Sequence, residues 1–149
     1  MSSDIEPEIV PVDLPRDAEP EAGLQTMVRQ AFGNDNRKLE SILPQLRRAM
    51  ETLPLELAED TVLIHAHSNR IYKPTILIGK SDAEWTFHGL KGKYNVLFVL
   101  LSPEHTPPEE HLKLLSGLAR NFLDPQFSRQ ARNASSAEEI ERLLNRTQE

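Results

Sequence analysis

Histidines that follow two apolar runs are the residues of this chain best placed to do chemistry. His65 and His67 come directly after the run at residues 61–64, and His111 lies shortly after the run at 96–101. In open α/β sheets, ligand and reaction sites collect beyond the carboxyl ends of the strands. Because histidines follow two predicted strands, we expect a ligand or reaction site where these strands end.

A neutral imidazole is a good nucleophile toward phosphorus, and the resulting phosphoramidate can pass its phosphoryl group onward. An unperturbed histidine has a pKa of ~6.5 and is substantially neutral at physiological pH. The chemistry also needs a group that fixes the tautomer of His65 and donors for the phosphoryl oxygens. His111 is expected near the positive end of a helix, where backbone N–H groups favour an anion. His67 and Arg70 could supply further donors.

Two other interpretations of the histidines stay open. A histidine at a strand end can simply hydrogen-bond to a loop. His65 and His67 are two residues apart, so on a strand they would face the same way, and His111 or His105 could complete a three-histidine metal site. The metal site is kept as an alternative, and neither a metal nor another cofactor is our expectation.

Composition bounds the classes of protein. The chain has 149 residues, no cysteine and a formal net charge of −6. One domain is expected, without disulfides or thiol chemistry, in a reducing compartment. The acidity argues against broad contact with nucleic acid. The longest apolar run is far shorter than the ~20 residues of a membrane span, so we expect no membrane insertion and a cytoplasmic location.

The pattern of the remaining residues predicts an α/β fold. Residues 1–20 are acidic and rich in proline, which indicates a leader or linker with an edge strand near Pro11, and residues 21–149 form the domain. The predicted fold is a mixed sheet of four to five strands flanked by helices. The expected helices lie at 21–32, 36–53, from Pro107 to about 123 and after a capping signal at 135–139, and the expected strands at 61–64, 75–78, 84–88 and 96–101.

Local signals refine the helix boundaries. Asn36 is expected to cap the second helix, and Pro44 to kink or break it. Thr106 is expected to cap the helix that carries His111, with Pro107 as its first residue.

Three segments together resemble a known family. Leu63-Ile64-His65-Ala66-His67 resembles the Ile-Pro-His-Ala-Arg motif of the mannitol/fructose-type enzyme IIA domain of the bacterial phosphotransferase system. The stretch at 98–103 resembles that family's apolar strand ending in a small residue and Pro, and the stretch at 111–120 resembles its His-Leu-x-x-Leu helix. Order and spacing hold from about residue 61 to residue 145.

The resemblance implies an enzyme IIA fold and a phosphohistidine carrier. Such a domain accepts a phosphoryl group from a histidine phosphocarrier protein and passes it to a IIB partner or uses it as a signal. By position, His65 matches the phosphoryl acceptor and His111 the second active-site histidine. His67, Arg48 and Arg70 are the expected phosphate-binding residues, and Arg47 or Arg48 stands in for the family's upstream arginine.

Departures from the family pattern support an alternative function. Ile64 and His67 stand where the family usually has Pro and Arg, and residues 51–60 lack the glycines of its upstream loop. The alternative is a degenerate regulatory domain of a membrane transporter, which binds a partner domain or a small anionic ligand without phosphotransfer. Such a domain would be held at the membrane through the transporter.

Overall fold

A computed structural model describes residues 7–16 and 19–147 of the chain. This part contains five strands and five helices around one sheet. The strands are β1 (Glu8–Asp13), β2 (Leu55–Ala58), β3 (Asp60–Ser68), β4 (Thr75–Trp85) and β5 (Tyr94–Pro103). The helices are α1 (Pro20–Phe32), α2 (Asn36–Thr52), α3 (Pro108–Asn121), α4 (Pro125–Arg132) and α5 (Ala137–Thr147).

The sheet is mixed, with the strand order β1-β4-β5-β3-β2. β3 and β5 are parallel neighbours, β1 runs parallel to β4, and the other two pairs are antiparallel. The carboxyl ends of β3 and β5 therefore meet at one edge, which is called the site edge below. This architecture confirms the predicted mixed α/β fold.

Each face of the sheet is covered by its own hydrophobic cluster, because successive strand residues point to opposite faces. On β5, Leu97 and Val99 belong to the cluster formed with α1 and α2, the α2 face. Phe98 and Leu100 belong to the cluster formed with α3, α4 and α5, the α3 face. Strands buried on both faces read as continuous apolar runs, which is why the run at 96–101 was visible in the sequence.

The strands differ from the predicted ones in length and number. β3 extends to Ser68, so His65 and His67 lie within the strand and not after it. β4 is one strand where the sequence pattern predicted two, because pairing with β5 continues past Gly79 to Trp85 across an irregularity. β2 was not predicted at all, since it is short and, among the described strands, pairs with β3 alone.

Two predicted helix boundaries were wrong, and the helix is not broken at Pro44. α2 runs unbroken through Pro44, whose exposed position places the missing backbone hydrogen bond on the solvent side. Its N-cap is Asp35 and not Asn36, since the Asp35 carboxylate accepts from two backbone N–H groups of the first turn. α3 begins at Pro108, because Pro107 precedes a proline and is held extended at ψ 144°.

β1 connects the proline-rich N-terminal segment to the rest of the domain. It lies at the sheet edge, where Pro11 is tolerated, and the carboxylate of Asp13 accepts a hydrogen bond of 2.8 Å from the Ala137 N–H at the start of α5. Among the described residues, no helix has the length and apolar character needed to cross a bilayer.

Candidate functional site

Three polar side chains form a continuous hydrogen-bonded chain at the site edge. Ser102 Oγ lies 3.0 Å from His111 Nδ1, and His111 Nε2 lies 3.0 Å from His65 Nδ1. Within the described residues, the Nε2 atom of His65 has no hydrogen-bond partner. The chain therefore ends on one imidazole nitrogen that is available to a reactant.

Strand alternation explains why these residues meet. His65 and His67 share the α3 face with Leu63, while Ile64 and Ala66 pack on the α2 face. β5 is parallel to β3 with Ser102 opposite His67, and residues opposite each other in a ladder point to the same face.

His111 completes the site from α3, the helix that follows β5. It is the fourth residue of that helix and is only 7% exposed. The connection between β5 and α3 is short, so the first turn of α3 lies over the end of β5 and places the His111 ring there.

His67 packs against the same ring. The ring centroids of His67 and His111 are 4.2 Å apart and the planes are inclined by 37°, whereas His65 and His111 are 4.9 Å apart at 51°. His111 therefore lies between two other imidazoles, and any charge on one ring acts directly on the others.

Burial keeps two of the three rings neutral. Burial first, then the charges of His67 and His65, lowers the pKa of His111 to about 4. Burial and, less strongly, the charge of His67 lower the pKa of His65 below its ordinary value of 6.5. Both rings are therefore uncharged at neutral pH, each with one protonated nitrogen.

A neutral chain allows two arrangements of its protons, and one of them activates His65. If His65 Nδ1–H donates to His111 Nε2, then His111 Nδ1–H donates to Ser102 Oγ, and His65 Nε2 carries a lone pair. A protonated His111 could not accept from His65, because both its nitrogens would be donors. The low pKa of His111 therefore preserves the arrangement in which His65 Nε2 is nucleophilic.

The predicted arginines are placed differently from the histidines. Arg48 is exposed on α2, which packs on the opposite face of the sheet from the imidazoles. Arg70 is half-buried in the loop after β3, and its backbone N–H donates to Ser68 Oγ. The structure thus brings together His65, His67 and His111, holds Arg70 at the same edge of the sheet and leaves Arg48 on the other face.

The start of α3 offers few free backbone donors. Pro107 and Pro108 have no N–H group, and the N–H groups of Glu110 and His111 both donate to the Pro107 carbonyl. The expected role of this helix end as an anion site is accordingly weak, and its first turn also carries two carboxylates, Glu109 and Glu110.

The stretch that corresponds to the family's glycine loop forms β2 and not a phosphate cradle. Leu55 pairs with Leu63, and the strand then runs away from the site edge. At the far end, the Glu56 carboxylate accepts a hydrogen bond of 2.6 Å from the Tyr94 hydroxyl.

The geometry of the imidazoles also bears on the metal alternative. Among residues 7–16 and 19–147, no group of three or more His, Cys, Asp or Glu side chains is arranged to hold a metal ion. The nitrogens of His65 and His111 point at each other across a hydrogen bond and not at a common centre.

Ser102 was not identified as a site residue from the sequence. It is completely buried and holds the outer nitrogen of His111, which orients the ring. One signal could have found it: it is a polar residue in phase with the α3-face residues Phe98 and Leu100 at the end of a buried strand.

Comparisons with known proteins agree with this fold. The Neisseria meningitidis nitrogen regulatory protein IIA-Ntr shares 22% identity, with 92% of each chain covered and a TM-score of 0.65. Enzyme IIAMTL from Escherichia coli, solved in complex with phosphorylated enzyme IIBMTL, shares 13% identity, with 93% of this chain and 94% of that chain covered and a TM-score of 0.68. The cryptic mannitol-specific enzyme IIA CmtB from Escherichia coli shares 13% identity, with coverage of 98% and 95% and a TM-score of 0.65.

No curated protein matches the chain. The model of one family, described as the phosphoenolpyruvate-dependent sugar phosphotransferase system, EIIA 2, matches residues 21–147. This match spans well over half of the sequence and confirms the family expected from the histidine motifs. The chain therefore belongs to the EIIA type 2 family of the phosphoenolpyruvate-dependent sugar phosphotransferase system.

Proposed function

We propose that this domain is a phosphohistidine carrier in which His65 accepts the phosphoryl group at Nε2. The observation that carries the proposal is the chain from Ser102 through His111 to His65 Nδ1, in which Nε2 of His65 has no hydrogen-bond partner among the described residues. A nucleophile oriented by a second residue, itself oriented by a third, is the general arrangement of activated nucleophiles.

The transfer step balances without a cofactor. The lone pair of His65 Nε2 attacks the phosphorus of a donor phosphohistidine, and the donor's P–N bond breaks with its electron pair returning to the donor imidazole. A proton on the donor ring's other nitrogen makes that ring a neutral leaving group. His65 keeps its proton at Nδ1, where the hydrogen bond to His111 Nε2 stabilises the positive charge that develops on the phosphorylated ring.

The partners follow from the family and from the solved relatives. A histidine phosphocarrier protein is the proposed donor, and a IIB domain is the proposed acceptor, since the Escherichia coli relative was solved with phosphorylated IIBMTL. We expect this exchange to take place in the cytoplasm, where the phosphorylated state of His65 could also act as a signal.

A second candidate is a regulatory domain that binds a partner, such as a membrane transporter, or a small anion without phosphotransfer. Two observations favour it: β2 replaces the glycine loop, and two prolines occupy the start of α3, so the site has few backbone donors for phosphoryl oxygens. The similarity to a protein named for nitrogen regulation fits the same candidate.

Phosphoryl incorporation distinguishes the two candidates. The domain is incubated with phosphoenolpyruvate, enzyme I and the histidine phosphocarrier protein, and its intact mass is recorded at neutral or alkaline pH because phosphohistidine is acid-labile. A carrier gains one phosphoryl group, and His65→Gln gains none while keeping its fold by circular dichroism. His88→Gln, which removes an exposed histidine beyond β4, serves as the matched control and incorporates phosphate normally.

Incorporation that survives in His65→Gln would overturn the assignment of the acceptor. The assay is run with a histidine phosphocarrier protein from a well-studied system and with the one from the same organism as this domain. If neither protein phosphorylates the wild type, the regulatory candidate replaces the carrier.

A further inference from the structure

We propose that phosphorylation of His65 is coupled to the binding of one proton by His67, so that the imidazole of His67 acts as a pH-dependent counter-charge to the phosphoryl group. This inference rests on the proposed function and adds its regulation. The phosphorylated fraction of the domain then depends on the pH as well as on how much of the donor protein is phosphorylated.

The geometry places His67 where its charge acts on the reacting ring. It lies on β3 two residues from His65, on the same face, and its ring packs on His111 at 4.2 Å. Two residues along a strand span about 6.6 Å, less than the Debye length of about 8 Å at physiological ionic strength. A charge on His67 is therefore only weakly screened from a phosphoryl group on His65.

The balance of charge among the imidazoles favours such a counter-charge. Of the three rings, His65 and His111 are neutral at neutral pH because burial lowers the pKa of each. A phosphoryl dianion on a ring that keeps its Nδ1 proton leaves one net negative charge. One proton on His67 cancels it.

The other imidazoles are poorly suited to bind this proton. His111 is the more buried ring and must stay an acceptor for His65 Nδ1–H. His65 itself carries the phosphoryl group. His67 is only half-buried, and among the described residues its ring makes no hydrogen bond that would fix its protonation state.

Two titratable groups act on His67 directly. His65 couples to it from β3, and the ring of His111 packs on it from α3. Two charged residues of the flanking loops are bonded to the next residue, Ser68: the backbone N–H of Arg70 donates to the Ser68 hydroxyl, and that of Glu104 donates to the Ser68 carbonyl. Arg70 is charged at every physiological pH, so it can shift the overall affinity for phosphate but cannot produce a pH dependence.

Linkage gives the sign of the effect. If the phosphorylated form binds the proton more tightly, lowering the pH favours phosphorylation. Uptake of one proton with each phosphoryl group makes the equilibrium constant for transfer rise by up to about tenfold for each unit of falling pH. Titration of the donor protein adds a background that is the same for every variant of this domain.

The test measures how phosphoryl groups distribute at equilibrium between the histidine phosphocarrier protein and this domain from about pH 6 to about pH 8. The comparison is between the wild type, His67→Gln, His67→Arg and the control His88→Gln, with ³¹P NMR as the readout. In the wild type and in His88→Gln, the equilibrium constant for transfer is expected to rise with falling pH more steeply than the donor background alone. Both His67 variants are expected to lose this additional pH dependence. The permanent cation of His67→Arg should also favour phosphorylation more than the neutral His67→Gln at about pH 8.

A second measurement does not depend on how the variants fold. At about pH 7, the NMR shifts of the His67 ring in the wild-type domain are expected to report a larger protonated fraction when His65 is phosphorylated than when it is not. Equal protonated fractions in the two forms, or an unchanged slope in His67→Gln, would overturn the coupling while leaving the carrier function intact. A wild type that takes up no phosphoryl group in the preceding assay would overturn both.

Discussion

The last residues of β3 show two opposite outcomes on the two faces of one strand. On the α2 face, Ser68 is 2% exposed and its Oγ lies 2.7 Å from Ser41 Oγ on α2, so the polar group is paired with the covering helix. On the α3 face, His65 and His67 remain half-buried, and the covering helix contributes a third imidazole.

The two faces differ in whether every polar side-chain atom at the strand end has a hydrogen-bond partner. Ser68 Oγ also accepts from the Arg70 N–H, so the α2 face ends in a closed set of hydrogen bonds that anchors a loop. The α3 face ends in a chain whose last atom, His65 Nε2, is unpaired within the described residues. Chemistry is thus expected on the face whose hydrogen bonds are incomplete.

Among substitutions on the two faces, replacing His111 should have the largest effect on phosphoryl transfer. His111→Ala removes the acceptor for His65 Nδ1–H, so the rate of phosphoryl transfer should fall about 10²-fold, the size typical of losing a positioned acid–base group. Transfer should be slowed and not abolished, because His65 remains. Rapid-quench kinetics with the phosphorylated carrier protein measure the rate, and Ser41→Ala on the other face is the control expected to transfer normally. A wild-type rate in His111→Ala would remove its assigned role.

The two buried serines allow a sharper and smaller test. Ser102→Ala frees the outer nitrogen of His111 and should lower the transfer rate about tenfold, while destabilising the domain by about 1 kcal/mol. Ser68→Ala should cost about the same free energy of unfolding and leave transfer unchanged. Denaturant unfolding and transfer kinetics on both variants give the comparison. Equal effects of the two substitutions on transfer would mean that Ser102 acts only through stability.

The smallest expected effect concerns the pH dependence of stability. The pKa of His111 is depressed from 6.5 to about 4 in the folded state, so the unfolded chain binds its proton first as the pH falls. The stability that His111 contributes is present above pH ~6.5 and is lost as the pH falls toward about 4. The melting temperature of the wild type should fall more over this range than that of His111→Gln. Parallel curves for the two proteins would contradict the buried, neutral state of His111.

Much of this architecture could be predicted from the sequence because it depends on local patterns. The apolar run at 96–101, the helical spacing of Leu24, Met27 and Val28, and the capping signals each reflect one element's own burial pattern. β2 and the second half of β4 were missed because their pairing depends on β3 and β5 and not on their own hydrophobicity. That α2 continues through Pro44 could not be predicted, because only the fold shows that this residue is exposed and that its missing hydrogen bond faces solvent.

The candidate site divides in the same way. The sequence by itself determined that His65 and His67 share a face, because side chains on a strand alternate, and it determined that His111 follows a second apolar strand. Only the tertiary structure decided that His111 bonds to His65, that Ser102 orients His111 and that Arg48 lies on the opposite side of the sheet. The physical reason is that side-chain period is a local property of the backbone, whereas strand order, register and the return of a helix over the sheet depend on contacts between residues far apart in the chain.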